Sequence, residues 1–152
     1  MAIFSFPSQV NERAARLVAG TVAVLSAVAL ATQSKLLVAL LAVGFLLRVA
    51  WGPKIDPIGR LAVTIAAKLW EVVPVFGAPK RFAQGIGAGV TITASILLHL
   101  GIATPAWALM GVLVLFALLE SALAFCAGCW MYARLQAVGV FPPDACVDCA
   151  RL

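Results

Sequence analysis

The sequence has little charge. Asp, Glu, Lys and Arg make up only 11% of its 152 residues, against about a quarter in a soluble domain. With 64% hydrophobic residues and a mean hydropathy of +1.09, the chain carries more apolar surface than a domain of this size can bury. The composition argues against a soluble fold and makes lipid the solvent. There is no glycine-rich phosphate loop, no nucleophile triad and no paired-carboxylate hydrolase pattern. The single histidine, His99, has no carboxylate or thiol near it in sequence and reads as an interfacial polar residue. A net charge of +5 does not point to nucleic acid, because no basic stripe interleaves with aromatics. Lys and Arg stand instead at the edges of apolar runs, as interfacial anchors do.

Those runs predict an all-α, polytopic membrane protein with four transmembrane helices. The first runs from Leu17 to Ala31, extended back to about Ala14 by the snorkelling stems of Arg13 and Arg16. Ala29-Leu30-Ala31 resembles a signal cleavage site, but a retained helix is expected. Thr32 to Lys35 is a polar turn, and Leu36 to Trp51 is the second span, interrupted only by Arg48. Gly52-Pro53 to Arg60 breaks helix and sits in water. Leu61 to Val73 is too short to cross and carries Lys68 and Glu71, which predicts an interfacial amphipathic helix between the second and third spans. A second break at Phe76–Arg81 precedes a third span, Phe82 to Leu100. The fourth, Trp107 to about Tyr132, is the longest, with Trp107 at one end and Trp130 and Tyr132 at the other. The organisation expected is a four-helix membrane domain over 1–135 and a tail over 136–152.

Charge asymmetry orients the chain. Arg13, Arg16, Arg48, Lys54, Arg60, Lys68, Lys80, Arg81, Arg134 and Arg151 fall on one side, and of the 11 basic residues only Lys35 falls on the other. The positive-inside rule then places both termini and the middle loop in the cytoplasm.

Four cysteines form two C-x-x-C pairs. Read as part of the long fourth helix, Cys126-Ala127-Gly128-Cys129 lies at its C-terminal, cytoplasmic end, with the Cα atoms roughly 5 Å apart, within disulfide range. The helix dipole there disfavours a thiolate, so any activation must come from Lys80, Arg81 or Arg134. Cysteine as a plain soft apolar residue is the alternative. Cys146-Val147-Asp148-Cys149 follows after sixteen residues, a spacing that suits a four-cysteine zinc site formed by Cys126, Cys129, Cys146 and Cys149. A thiol or persulfide relay between the pairs, a zinc clip, and no shared chemistry all remain open. Haem attachment is disfavoured, since no histidine follows either pair.

Glu120 is an ionisable residue deep in the fourth span and needs a partner. Its level in the third span is near Gln84, with Gly85 and Gly89 expected to let a neighbouring helix approach. A Gln84–Glu120 hydrogen bond is expected. On one continuous helix, Glu120 would stand half a revolution and about 13 Å from Cys129, on a different face.

Asn11-Glu12-Arg13, Gly52-Pro53, Lys80-Arg81-Phe82-Ala83-Gln84-Gly85-Ile86-Gly87, Leu119-Glu120 and Phe125-Cys126-Ala127-Gly128-Cys129-Trp130-Met131-Tyr132 together resemble the domain-of-unknown-function 4395 family of small bacterial integral membrane proteins. That resemblance implies a four-helix membrane domain of DoxX-like plan, thioredoxin-like or rhodanese-like partners, and thiol or sulfane-sulfur handling. Carried over by motif, it points to Arg81, Gln84, Cys126 and Cys129, while Cys146 and Cys149 lie beyond it. The function expected is thiol or sulfur handling at Cys126 and Cys129 assisted by Arg81, with Lys80, Gln84, Glu120 and Arg134 as substrate-binding residues and no cofactor besides a possible zinc. Transport of a sulfur-containing anion, or an assembly subunit with a zinc-clipped tail, are the alternatives, and a homo-oligomer is compatible with either.

Overall fold

In the computed structural model, which describes residues 6–142, the chain is all-α apart from one short strand pair. Helices α1 (Glu12–Thr32), α2 (Lys35–Trp51), α4 (Gly77–His99) and α5 (Ala103–Leu123) are long and apolar enough to cross a membrane. A 3-10 turn (Gly52–Lys54) and α3 (Pro57–Leu69) lie between α2 and α4, and α6 (Ala127–Ala137) follows α5. Strands β1 (Gln9–Asn11) and β2 (Pro74–Phe76) pair antiparallel, Val10 opposite Val75. These strands leave no mark in the sequence, since three residues are too few to show an alternating pattern.

Small polar residues set the helix starts. Asn11 Oδ1 accepts from Arg13 N at 3.0 Å, Ser34 Oγ from Leu37 N at 3.3 Å, and Asp56 Oδ2 from Gly59 N at 2.7 Å. Each satisfies an orphan N–H of a first turn. Pro79 falls in the first turn of α4, where the missing N–H costs nothing. Helix α4 therefore begins at Gly77, before the expected start at Phe82, and takes Lys80 and Arg81 into the helix.

Helix α1 packs on α5 and α3, α2 on α4, and α4 on α5 and α6. The buried stripe of α1 is Ala14, Val18, Ala19, Val22, Ala23, Ser26 and Ala29, small residues that let backbones approach closely. Helix α4 approaches α2 closely at Gly87, where a Cβ would stand 2.3 Å from the Phe45 ring. Gly85 and Gly89, expected to serve that purpose, face open space. Leu36, Leu40, Val43, Ile96, Leu115 and Phe116 are exposed on the outside, a surface suited to a lipid environment. Helix α3 lays Gly59, Ala62 and Ala66 inward and accounts for the expected amphipathic segment, starting four residues earlier.

Candidate functional site

Polar side chains converge at the end of the bundle where α1 and α4 begin and α2 and α5 finish. The site exists because α5 stops early. Nothing in Ala122-Leu123-Ala124-Phe125 breaks a helix by composition, yet Ala124 turns left-handed at φ 58°. Arg16 holds the break: its Nε donates to Ser121 O and its Nη2 to Ala122 O, both at 3.0 Å. A guanidinium satisfies carbonyls that the helix end leaves orphaned and meets the negative pole of its dipole.

The turn releases Cys126 to cap α6. Its backbone is extended, and its Sγ accepts from Cys129 N at 3.3 Å, as a serine hydroxyl would at an N-cap. This overturns the expectation that the C-x-x-C motif ends one long helix. It opens a new one, at the positive pole, where a thiolate is favoured. Gly128 seats α6 against α4, since a Cβ there would lie 2.5 Å from Ala83 Cβ. Phe82, Tyr132 and Phe141 pack ring on ring at 4.5 to 5.7 Å and hold the far end.

Beside the motif, Lys80 Nζ bonds Glu120 Oε1 at 2.6 Å, with both side chains largely buried. The two cysteines lie in the field of this pair and differ in character. The hydrogen bond from the Cys129 thiol holds Cys126 below the ordinary thiol range, against burial and Glu120, with Lys80 and the backbone N–H of Cys129 adding to the effect. Cys129 is pushed up, first because its proton is engaged by Cys126 and then by burial. Glu120 thus shares the cysteines' surroundings, contrary to the separation expected along a continuous helix. Its partner is Lys80, where Gln84 was expected.

Gln84 belongs to a second cluster. Its Oε1 accepts from Arg48 Nε at 3.0 Å, and Arg48 Nη1 reaches Asp56 Oδ2 at 3.3 Å. Arg48 and Asp56 are only 4% and 2% exposed, and the guanidinium lies 4.6 Å over the Phe45 ring. This buried pair was not among the residues expected at the site. The available signal was a lone arginine inside an apolar run with an aspartate eight residues on, in a Pro/Gly turn.

Arg81 and Arg134 are directed elsewhere. Arg81 Nε donates to Val49 O at 2.9 Å, and Arg134 lies 5.2 Å over the Trp130 ring. Lys80 is the cation that acts on the thiols. Gln84 also separates two cavities: one of about 210 Å³ touching Arg48 and Lys80, and a cleft of about 180 Å³ reaching Glu120 and Cys126. Cys146 and Cys149 lie outside the described residues, and with them the four-cysteine zinc set. Among the described residues no group of three His, Cys, Asp or Glu could hold a metal.

Comparison with curated proteins and with solved structures returns no match. The model of a family described as a domain of unknown function, DUF4395, matches residues 10–137, and on that match, which spans every helix of the fold and both cysteines of the site, the chain belongs to this family.

Proposed function

We propose that the protein is a membrane-embedded thiol module in which Cys126 is the nucleophile and Cys129 the resolving thiol. The observation that carries this reading is the placement of Cys126 Sγ on the N-terminus of α6, with Cys129 as its hydrogen-bond donor and Lys80 nearby. Low-pKa thiols occupy such positions. The partner is a soluble thioredoxin-like or rhodanese-like protein, met at the basic end of the bundle, which the positive-inside rule assigns to the cytoplasm.

In the exchange, the Cys126 thiolate attacks one sulfur of the partner's disulfide, and the partner's second sulfur leaves as a thiolate. Cys129 then gives its proton to Glu120, whose charge is felt at both cysteines, and attacks Cys126 Sγ. A Cys126–Cys129 disulfide forms, and the partner departs as a dithiol carrying the two electrons. With a persulfide partner, Cys126 takes the outer sulfur and the partner's thiolate leaves. Transport of an anion draws less support, because Arg48 and Lys80 are already neutralised by Asp56 and Glu120.

The test is differential alkylation in a Cys146→Ser, Cys149→Ser background. Cys126 should alkylate first under reducing conditions, both thiols should disappear together under mild oxidation, and Cys129→Ser should trap a mixed disulfide through Cys126. Two thiols that react independently and equally fast would remove the proposal.

A further inference from the structure

The cleft that reaches Cys126 also opens sideways into the apolar surface of the bundle. Ile86 on α4 and Val112 and Phe116 on α5 edge it and are exposed on that surface. Val112 stands eleven residues before Leu123, so at ~1.5 Å per residue the mouth lies ~16 Å from the end of α5, near mid-membrane. The inner wall is apolar and buried, with Phe45, Val22 and Leu113. The polar lining is Gln84 and Glu120, with Cys126 beside them. A soluble protein does not enter at this depth, whereas a lipid-dissolved molecule does.

The apolar walls and the polar end select what fits. An apolar cavity of ~150 Å³ holds a benzene ring, so about 180 Å³ takes a single six-membered ring. A fatty acid would bring its carboxylate against Glu120, and a bare hydrocarbon tail would give the polar end no partner. A neutral ring bearing carbonyl oxygens meets both conditions. Gln84, whose oxygen is taken by Arg48, has its amide N–H group left to donate to such an oxygen.

We propose that this cleft admits the ring of a lipid-soluble quinone, which accepts two electrons from the Cys126–Cys129 dithiol. This rests on the thiol reading above and names the second substrate of the same site. The Cys126 sulfur adds to a ring carbon, and Cys129, its proton passed to Glu120, attacks the Cys126 sulfur. The S–S bond forms as the S–C bond breaks, and the electron pair stays on the ring. The two thiol protons end on the two ring oxygens, so dithiol plus quinone gives disulfide plus hydroquinone. The exchange with the soluble partner, run in reverse, restores the dithiol: a thiolate of the partner's dithiol attacks the Cys126–Cys129 disulfide, the partner leaves as its disulfide, and the module passes the two electrons into the membrane.

The experiment uses the full chain in phosphatidylcholine nanodiscs, in the Cys146→Ser, Cys149→Ser background, reduced and freed of reductant. It is mixed without oxygen with decylubiquinone or, separately, with glutathione disulfide. One hydroquinone should form per chain as both thiols become unreactive. Val112→Trp, which fills the mouth, should slow the quinone reaction about tenfold, whereas Leu40→Trp, equally lipid-facing on α2, should not. Thiols that exchange with glutathione disulfide but ignore the quinone, or a Val112→Trp rate equal to the parent's, overturn the quinone inference and leave the thiol reading standing. Thiols inert toward both reagents overturn both. If Val112→Trp loses both reactions it is misfolded, and a photoreactive azidoquinone then decides. Label concentrated on residues 86–90 and 112–116 supports the site, and label spread over the lipid face refutes it.

Discussion

Replacing Lys80 tests the electrostatics of the site from two directions. Its ammonium bonds Glu120 at 2.6 Å, and the two side chains are 12% and 16% exposed. An exposed ion pair is worth up to about 1 kcal/mol, while removing one partner of a buried pair costs about 3–5 kcal/mol, because the survivor is left charged and dry. With this little exposure, Lys80→Met should cost about 2–3 kcal/mol, a change of about 30- to 150-fold in the unfolding equilibrium. Adding Glu120→Met removes the stranded charge and should restore most of the loss. The thiols report the same field independently. Lys80 favours the Cys126 thiolate and Glu120 disfavours it. The pH midpoint of Cys126 alkylation should therefore move up in Lys80→Met and down in Glu120→Gln. Because Cys126 is held below its usual range, its reactivity persists at lower pH than that of an ordinary thiol and is lost only on further acidification. The assays are denaturant unfolding in mild detergent and alkylation rate against pH. A Lys80→Met variant within about 0.5 kcal/mol of the parent, or two midpoints shifting the same way, would refute the reasoning.

Other substitutions probe the supports of the site. Gly128→Ala places a methyl 2.5 Å from Ala83 Cβ and should cost about 1–3 kcal/mol, with faster proteolysis after Cys126 as α6 lifts from α4. Arg48→Met strands Asp56, 2% exposed, and should cost about 3–5 kcal/mol by denaturant titration, largely recovered by adding Asp56→Asn. Cys126→Ser keeps an N-cap acceptor, whereas Cys126→Ala removes it and should lose about 1 kcal/mol more. Neither should form a disulfide with Cys129. Metal analysis of the full chain should find no near-stoichiometric zinc, since Cys126 is engaged as a cap. Zinc bound one to one with all four thiols protected would contradict that.

Much of the architecture was legible because bilayer thickness imposes it. Four apolar runs of spanning length, turns marked by Ser34, Gly52-Pro53 and Pro105, and a charge imbalance of ten to one are properties of composition along the chain. They gave the count of spans and the end at which chemistry gathers. Glu120 was recognisable as a residue that lipid does not tolerate without reason, Cys126 and Cys129 by their spacing, and Lys80 as part of the basic rim beside them.

Their relations were not legible, because one helix break determines them. An uninterrupted fourth helix puts Cys126 at a negative dipole end and Glu120 on another face. The left-handed turn at Ala124 reverses both statements, and no proline or glycine announces it. It is held by Arg16, more than a hundred residues away in sequence, so hydropathy read along the chain carries no trace of it. The same holds for Lys80 pairing with Glu120 and Arg48 with Asp56 and Gln84. The sequence by itself determined a four-span membrane bundle with a C-x-x-C pair at its basic end, because hydrophobic length and charge are local quantities. Only the tertiary structure decided that this pair opens a helix beside a lysine and that Cys126 shares a cleft with a carboxylate, because partners at such separation are chosen by packing.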